Sequence, residues 1–193
     1  RGYQLKLPEL GDRKMADMKV AVWMDDERAP VNKDVRERVE LVGQALRDRG
    51  AKVDFEARPG FTSKHADDVY LQLMQATMAQ LMPPKDYESL KEYVAKFDDS
   101  DQSKRAMTMR AQVATFKDWG RLNEMRTRLR WQWHEFFSEW DFLITPIMAT
   151  AAYKHDHRPF RERTILVDDQ ERPYFEQVFW AGLSGASYLP STV

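Results

Sequence analysis

Met18-Lys19-Val20-Ala21-Val22-Trp23-Met24 opens the stretch that decides the fold. Its β-branched and aromatic residues read as a strand. Asp25 to Pro30 is a polar connection, and a helical pattern follows. Val35, Val39, Val42 and Leu46 recur at steps of four, three and four, which places them on one helix face. Asn32 or Asp34 can cap the start of this helix, and Gly50 can end it. Lys52-Val53-Asp54-Phe55-Glu56 alternates and reads as a second strand. Strand, helix and strand with short links predict a βαβ unit over residues 18–60, its strands parallel and its crossover right-handed.

Working toward the C-terminus, Thr62 or Ser63 can cap a helix whose apolar side carries Val69, Leu73, Ala76 and Leu81, and Pro83-Pro84 stops it. Tyr87 to Phe97 reads as a short amphipathic helix, and Asp98-Asp99-Ser100-Asp101 as a charged break that can cap the next one. From about Gln102 to Ser138 one long helix is expected. Met109, Val113, Phe116, Trp119, Leu122, Met125, Leu129, Trp133, Phe136 and Trp140 recur at threes and fours, the strongest period in the chain. Gly120 inside it marks a bend or a close contact. Phe142 to Thr145 is a buried-type strand closed by Pro146. A loop from Ala149 to Phe160 leads to the strand Thr164-Ile165-Leu166-Val167 and a turn at Asp168-Asp169. Pro173 suits the first turn of a helix running to about Leu183. Ser184-Gly185 breaks it, and Tyr188 to Val193 becomes extended. The class is α/β with helices in excess: a βαβ unit, a helical region over 61–140, and strands, loop and a final helix over 141–193, after a lead-in at 1–17.

The balance of the 193 residues is that of a folded globular chain, with 42% apolar and 32% charged. Lys plus Arg is 30 and Asp plus Glu is 31, so net charge gives no reason to expect a nucleic-acid or anionic-membrane partner. No apolar run approaches the roughly 20 residues of a membrane span. The absence of cysteine excludes a thiol nucleophile and thiolate metal sites, and it fits a reducing, cytoplasmic compartment. The chain begins with Arg1, without a leader pattern, and Ser187 to Val193 reads like the start of a buried strand. Both ends therefore read as cut.

Three clusters invite a chemical reading. His155-Asp156-His157 could hold a metal, but a His-x-His pair needs two further ligands, and a solvated loop is the better reading. Arg121, Arg126, Arg128 and Arg130 interleave with Trp131 and Trp133 as in single-strand nucleic-acid binders. Here the aromatics continue the core stripe, Glu124 and Arg128 are spaced for a helix salt bridge, and a solvated face is preferred. Ser184-Gly185-Ala186-Ser187 lacks both a Gly-x-Ser-x-Gly elbow and a partner base, so it reads as a tight helix-to-strand turn. Asp25-Asp26 and Asp168-Asp169 read as turns. His65 and His134 fall on helices and read as structural. No catalytic constellation, metal site or cofactor is implied.

Three segments in order resemble the C-terminal half of amidase-signature enzymes. The first is Lys19 to Phe55, with Ala29-Pro30-Val31, Asp34-Val35-Arg36 and a helix ending Leu46-Arg47-Asp48-Arg49-Gly50-Ala51-Lys52-Val53. The second is Trp140-Asp141-Phe142-Leu143-Ile144-Thr145-Pro146, similar to the family's aspartate, hydrophobic run and Thr-Pro after a long helix. The third is Ala181 to Val193, similar to its late Gly-Leu-Pro-Ala segment. Tyr188 stands where the family often has glycine, and Gly185 where asparagine is common.

The resemblance implies the mixed sheet of that fold and hydrolysis of a carboxamide by a nucleophilic serine, a bridging serine and a lysine base. It also implies that these groups lie N-terminal to the matched part, so no residue here is assigned a catalytic role. Thr145, Pro146 and Trp180 are the candidates for lining the acyl pocket. The partners implied are a small amide, the missing N-terminal part of the same protein and, through an open sheet edge, a second copy. The alternatives are a binding or scaffold module without catalysis, either a relative lacking the triad or a basic-helix nucleic-acid binder, and the amidase subunit of a tRNA-dependent amidotransferase. The late segment departs from the pattern expected of that subunit.

Overall fold

A computed structural model describes residues 2, 4, 6, 9 and 11–193; the other six residues of the lead-in lie outside the described residues. At the centre is a three-stranded parallel sheet in the order β2-β1-β3, made of β1 (Lys19–Val22), β2 (Lys52–Asp54) and β3 (Phe142–Ile144). Val20 pairs with Val53 and with Phe142 on its two sides, and Val22 with Ile144. The parallel βαβ unit is as the sequence predicts, although β2 ends at Asp54. There the Asp54 carboxylate accepts the backbone N–H groups of Glu56 and Ala57 and turns the chain.

β1 is covered on both faces, which explains its unbroken apolar run. Val20 and Val22 pack with Val39 and Leu46 of α1 (Lys33–Asp48) and with Val53. Ala21 and Trp23 point the other way, into the main core with Val69, Leu129, Trp133 and Phe179. One position of the predicted α1 face is corrected. Val42 is 49% exposed, and Gly43 is buried in its stead. A Cβ on Gly43 would lie 2.8 Å from the Phe55 ring and 3.1 Å from Val22, so helix and sheet approach too closely for a side chain there. The α1 cap also differs. Asn32 holds the N-cap position without capping through its side chain. The Asp168 carboxylate, distant in sequence, accepts the Lys33 N–H at 2.7 Å, while Asn32 Oδ1 accepts the Asp168 N–H.

α2 (Ser63–Met78) starts at Thr62, whose hydroxyl accepts the His65 N–H, and buries Val69 and Leu73. A 3-10 turn over Ala79–Leu81 swings Leu81 off the apolar side, leaving it 90% exposed. Pro84 then opens α3 (Pro84–Val94). The expected helix over 102–138 is two helices, α4 (Lys104–Gln112) and α5 (Phe116–Glu139). A capping box makes the break: Thr115 Oγ1 accepts the Asp118 N–H, and Asp118 Oδ2 accepts the Thr115 N–H. The stripe is buried from Leu122 to Phe136, whereas Phe116, in the first turn, is exposed. Gly120 makes no close contact.

Asp141 anchors the start of β3. Its Oδ2 accepts the Lys19 N–H at 2.8 Å, and Arg13 lies 2.9 Å from its Oδ1. These interactions, the backbone hydrogen bond foremost, hold its carboxyl below the ordinary range. Beyond the loop, β4 (Thr164–Val167) and the Asp168-Asp169 turn are as the sequence predicts, but the chain then returns as β5 (Gln170–Pro173), an antiparallel partner that the pattern does not announce. Asp168 and Asp169 have φ of 47° and 65°, the backbone of a type I′ turn. Pro173 therefore closes a strand and does not open a helix. A 3-10 turn at Tyr174–Gln177 intervenes before α6 (Val178–Gly185). Gly182 of α6 faces Tyr70 of α2, where a Cβ would come within 2.5 Å of the ring. Residues 189–193 form neither helix nor strand.

Candidate functional site

The three parallel strands end together at Val22, Asp54 and Ile144, and their carboxyl end is where an open α/β sheet usually offers a binding surface. Trp23 organises this end. Its N–H donates to Ile144 O at 2.9 Å, and its indole N–H donates to Asp25 O. Its ring meets Trp180 edge-on at 6.0 Å and Phe179 at 6.4 Å. Thr145 and Pro146 continue β3 directly past Ile144, Thr145 half-buried and Pro146 buried. Trp23 thus joins the end of β3 to α6. Trp180 is 2% exposed and packs as a core residue. Its indole N–H and the Oε1 of Gln177, one turn earlier, are buried without a hydrogen-bond partner.

Arg58 completes this end. Its Nη1 lies 3.2, 3.0 and 2.8 Å from the carbonyl oxygens of Val22, Phe55 and Ala57, so it gathers the ends of β1 and β2. Its guanidinium carbon sits 5.2 Å from the centre of the Trp23 ring, a cation–π geometry. Trp23 and Arg58 are the residues that sequence reasoning passed over.

The other clusters behave differently. Both oxygens of Asp156 are taken by Arg158, which draws its carboxyl down to about 2, while the His155 and His157 rings stack at 6.1 Å. Arg126 and Arg130 of α5 lie 4.6 and 5.5 Å from the centre of the Tyr188 ring. The expected Glu124–Arg128 bridge is not among the ion pairs of the described residues; Arg121 pairs with Asp118 at 3.9 Å. Asp25 and Asp26 form a turn as expected, Asp25 Oδ1 accepting from Asp26 and Val31, and Asp26 Oδ1 from Arg28. Two hollows lie elsewhere. One of about 420 Å³ lies between the start of α1 and the Asp168-Asp169 turn, and one of about 250 Å³ is lined by Tyr87, Phe116 and Trp119. No described helix is long and apolar enough to cross a membrane.

A family model described as Amidase matches residues 5–174. The chain belongs to the Amidase family. Among solved structures it is similar to that of a bacterial aryl acylamidase belonging to the amidase signature enzymes family, at 14% identity and a TM-score of 0.56. That match covers 88% of this chain and 35% of the acylamidase, so the chain spans about a third of that structure's length and shares its fold. No curated protein matches. Within the Amidase family reading, the aspartate before the hydrophobic run has a defined task here: Asp141 pins the amino end of β3 to β1. Tyr188, at the position resembling a family glycine, has φ of 59°, the left-handed backbone that glycine adopts freely.

Proposed function

We propose that this chain is the C-terminal part of an amidase that hydrolyses a carboxamide C–N bond to carboxylate and ammonia or amine. The match to the Amidase family over most of the chain carries this reading. The Ser-Ser-Lys machinery lies outside the chain in this proposal, and the chain alone is inactive. Its part is to build the carboxyl end of the sheet, where half-buried Thr145 contributes pocket wall and buried Pro146 and Trp180 back it from the core. Because the similar solved structure is an aryl acylamidase, aryl amides are the first substrates to try. A cytoplasmic location fits a chain without cysteine.

A fluorophosphonate probe, mapped by mass spectrometry on this chain and on the longer protein containing it, tests the proposal. A labelled serine outside residues 1–193 and none within is the expected result. A label on a serine of this chain, with turnover, would place the nucleophile here and overturn the assignment. No label on either would favour the non-catalytic module.

The partners proposed are the small amide, the remainder of the same protein and a second copy. Among the described residues β2 and β3 are both sheet edges, and Phe142 on β3 is largely exposed. Sedimentation velocity of the isolated chain should show concentration-dependent association. A single monomeric boundary throughout the concentration series would remove the second copy from the proposal.

A further inference from the structure

We infer that Arg58 is a recognition site for a carboxylate, so that the preferred amide carries a carboxylate group. The inference rests on the amidase reading above, and it starts from what holds Arg58 in place. One nitrogen, Nη1, is occupied by the carbonyls of Val22, Phe55 and Ala57, and the guanidinium carbon lies 5.2 Å from the centre of the Trp23 ring. The guanidinium is therefore fixed before any ligand arrives, which removes most of the ordering cost of an arginine contact. Its Nε and Nη2 donate to no described residue, and Arg58 makes no ion pair among the described residues, although its side chain reaches the surface. This leaves one edge of a planar fork free at the carboxyl end of the sheet, beside Trp23, which links Ile144 to Trp180.

Partial burial of the guanidinium lowers its pKa, against the opposing pull of Glu56, Asp26 and Asp54 nearby. Two of these carboxylates serve turns: Asp54 accepts from Glu56 and Ala57, and Asp26 from Arg28. A carboxylate matches the fork with two parallel N–H···O bonds. Glu56, Asp26 and Asp54 repel any anion, and they would repel the higher charge of a phosphate more strongly than a single carboxylate.

The test uses the full-length protein and two acyl 4-nitroanilides of equal acyl length, succinyl and butyryl, which differ in a terminal carboxylate. The wild type should favour the succinyl compound in kcat/KM, and Arg58→Met should lower the succinyl-to-butyryl ratio by about 10- to 100-fold, the range of a charge-assisted bidentate contact. Arg58→Lys, which keeps the charge and loses the fork, should fall between. A ratio unchanged in Arg58→Met, including a parallel loss on both substrates, would overturn the inference. Calorimetric titration with succinate separates the two readings. Binding that Arg58→Met abolishes supports carboxylate recognition even if neither anilide turns over, an outcome that would count against the amidase reading. Absence of succinate binding, with butyryl anilide turned over, overturns the recognition and leaves the amidase intact.

Discussion

Trp133→Ala is expected to cost about 3–5 kcal/mol of unfolding free energy, the usual range for deleting a buried aromatic side chain. Trp133 is 2% exposed and is the largest of the fully buried side chains. It meets Phe61 edge-on at 5.1 Å and Phe136 at 5.7 Å, and it stacks on Phe137 at 5.6 Å. Phe61 precedes α2, so this one indole ties the link after the βαβ unit to α5. Alanine would leave a hole bounded by rings that cannot rotate to fill it without losing their own contacts. Because domains are stable by only about 5–15 kcal/mol, the loss would consume much of the total. Trp131 gives the internal control. It lies two residues away on the same helix and is 65% exposed, so Trp131→Ala should stay within about 0.5 kcal/mol. Urea midpoints of the two variants decide the matter. Equal midpoints would mean that the α5 face is wrongly placed.

The elements that were legible in the sequence are those whose burial imposes a period. β1 is covered by α1 on one face and by the main core on the other, so every inward position is apolar and the strand reads without ambiguity. The stripe of α5 is legible for the same reason. β5 is the opposite case. Gln170-Glu171-Arg172-Pro173 buries almost nothing, and its pairing is set by the left-handed backbone at Asp168 and Asp169. Asp-Asp signals such a turn far less strongly than Asn-Gly does. The break between α4 and α5 was hidden because Thr115-x-x-Asp118 sits inside a run of threes and fours that continues across it. A capping box ends one helix and starts another without disturbing the hydrophobic period. At α1 the period misled at one position, because a glycine can face a sheet that a valine would push away.

The candidate site divides in the same way. Thr145, Pro146 and Trp180 could be picked out only through the resemblance to amidase-signature enzymes, in which the Thr-Pro strand end and the helix-to-strand turn near Ala181 lie toward the substrate side. In the sequence Trp23 is one apolar residue of the strand predicted over Met18 to Met24. Its role comes from β1 pairing with β3, which brings its N–H to a carbonyl distant in sequence. Arg58, a lone arginine between Ala57 and Pro59, forms no pattern at all. What marks it is the carbonyl of Val22, supplied by the neighbouring strand, and the face of Trp23. Both depend on the sheet being assembled, and no local window contains them.

The second large effect is expected at Arg28. This residue reaches from the connection after β1 to α2, where its Nε donates to Asp67 Oδ2 at 2.7 Å and its Nη2 to Asp68 Oδ1 at 3.0 Å. The Asp67 side chain is only 3% exposed, and its other cation, Lys104 at the start of α4, stands 3.6 Å away. Arg28→Met would retain much of the packing and remove the fork. It would leave a carboxylate in the protein interior with a single, longer-range partner. Removing one member of a buried pair typically costs 3–5 kcal/mol, and the remaining Lys104 places this case near the low end, about 3 kcal/mol. The pair itself contributes far less than that, because the Asp67 carboxylate was taken out of water, and Arg28 in large part, to form it. Arg28→Met combined with Asp67→Leu should therefore be more stable than Arg28→Met alone, although it carries one more substitution. Urea unfolding of the two single variants and the double variant measures the cycle. If the double variant loses the sum of the single losses, the two residues act independently, and the link between the β1 connection and α2 is not electrostatic.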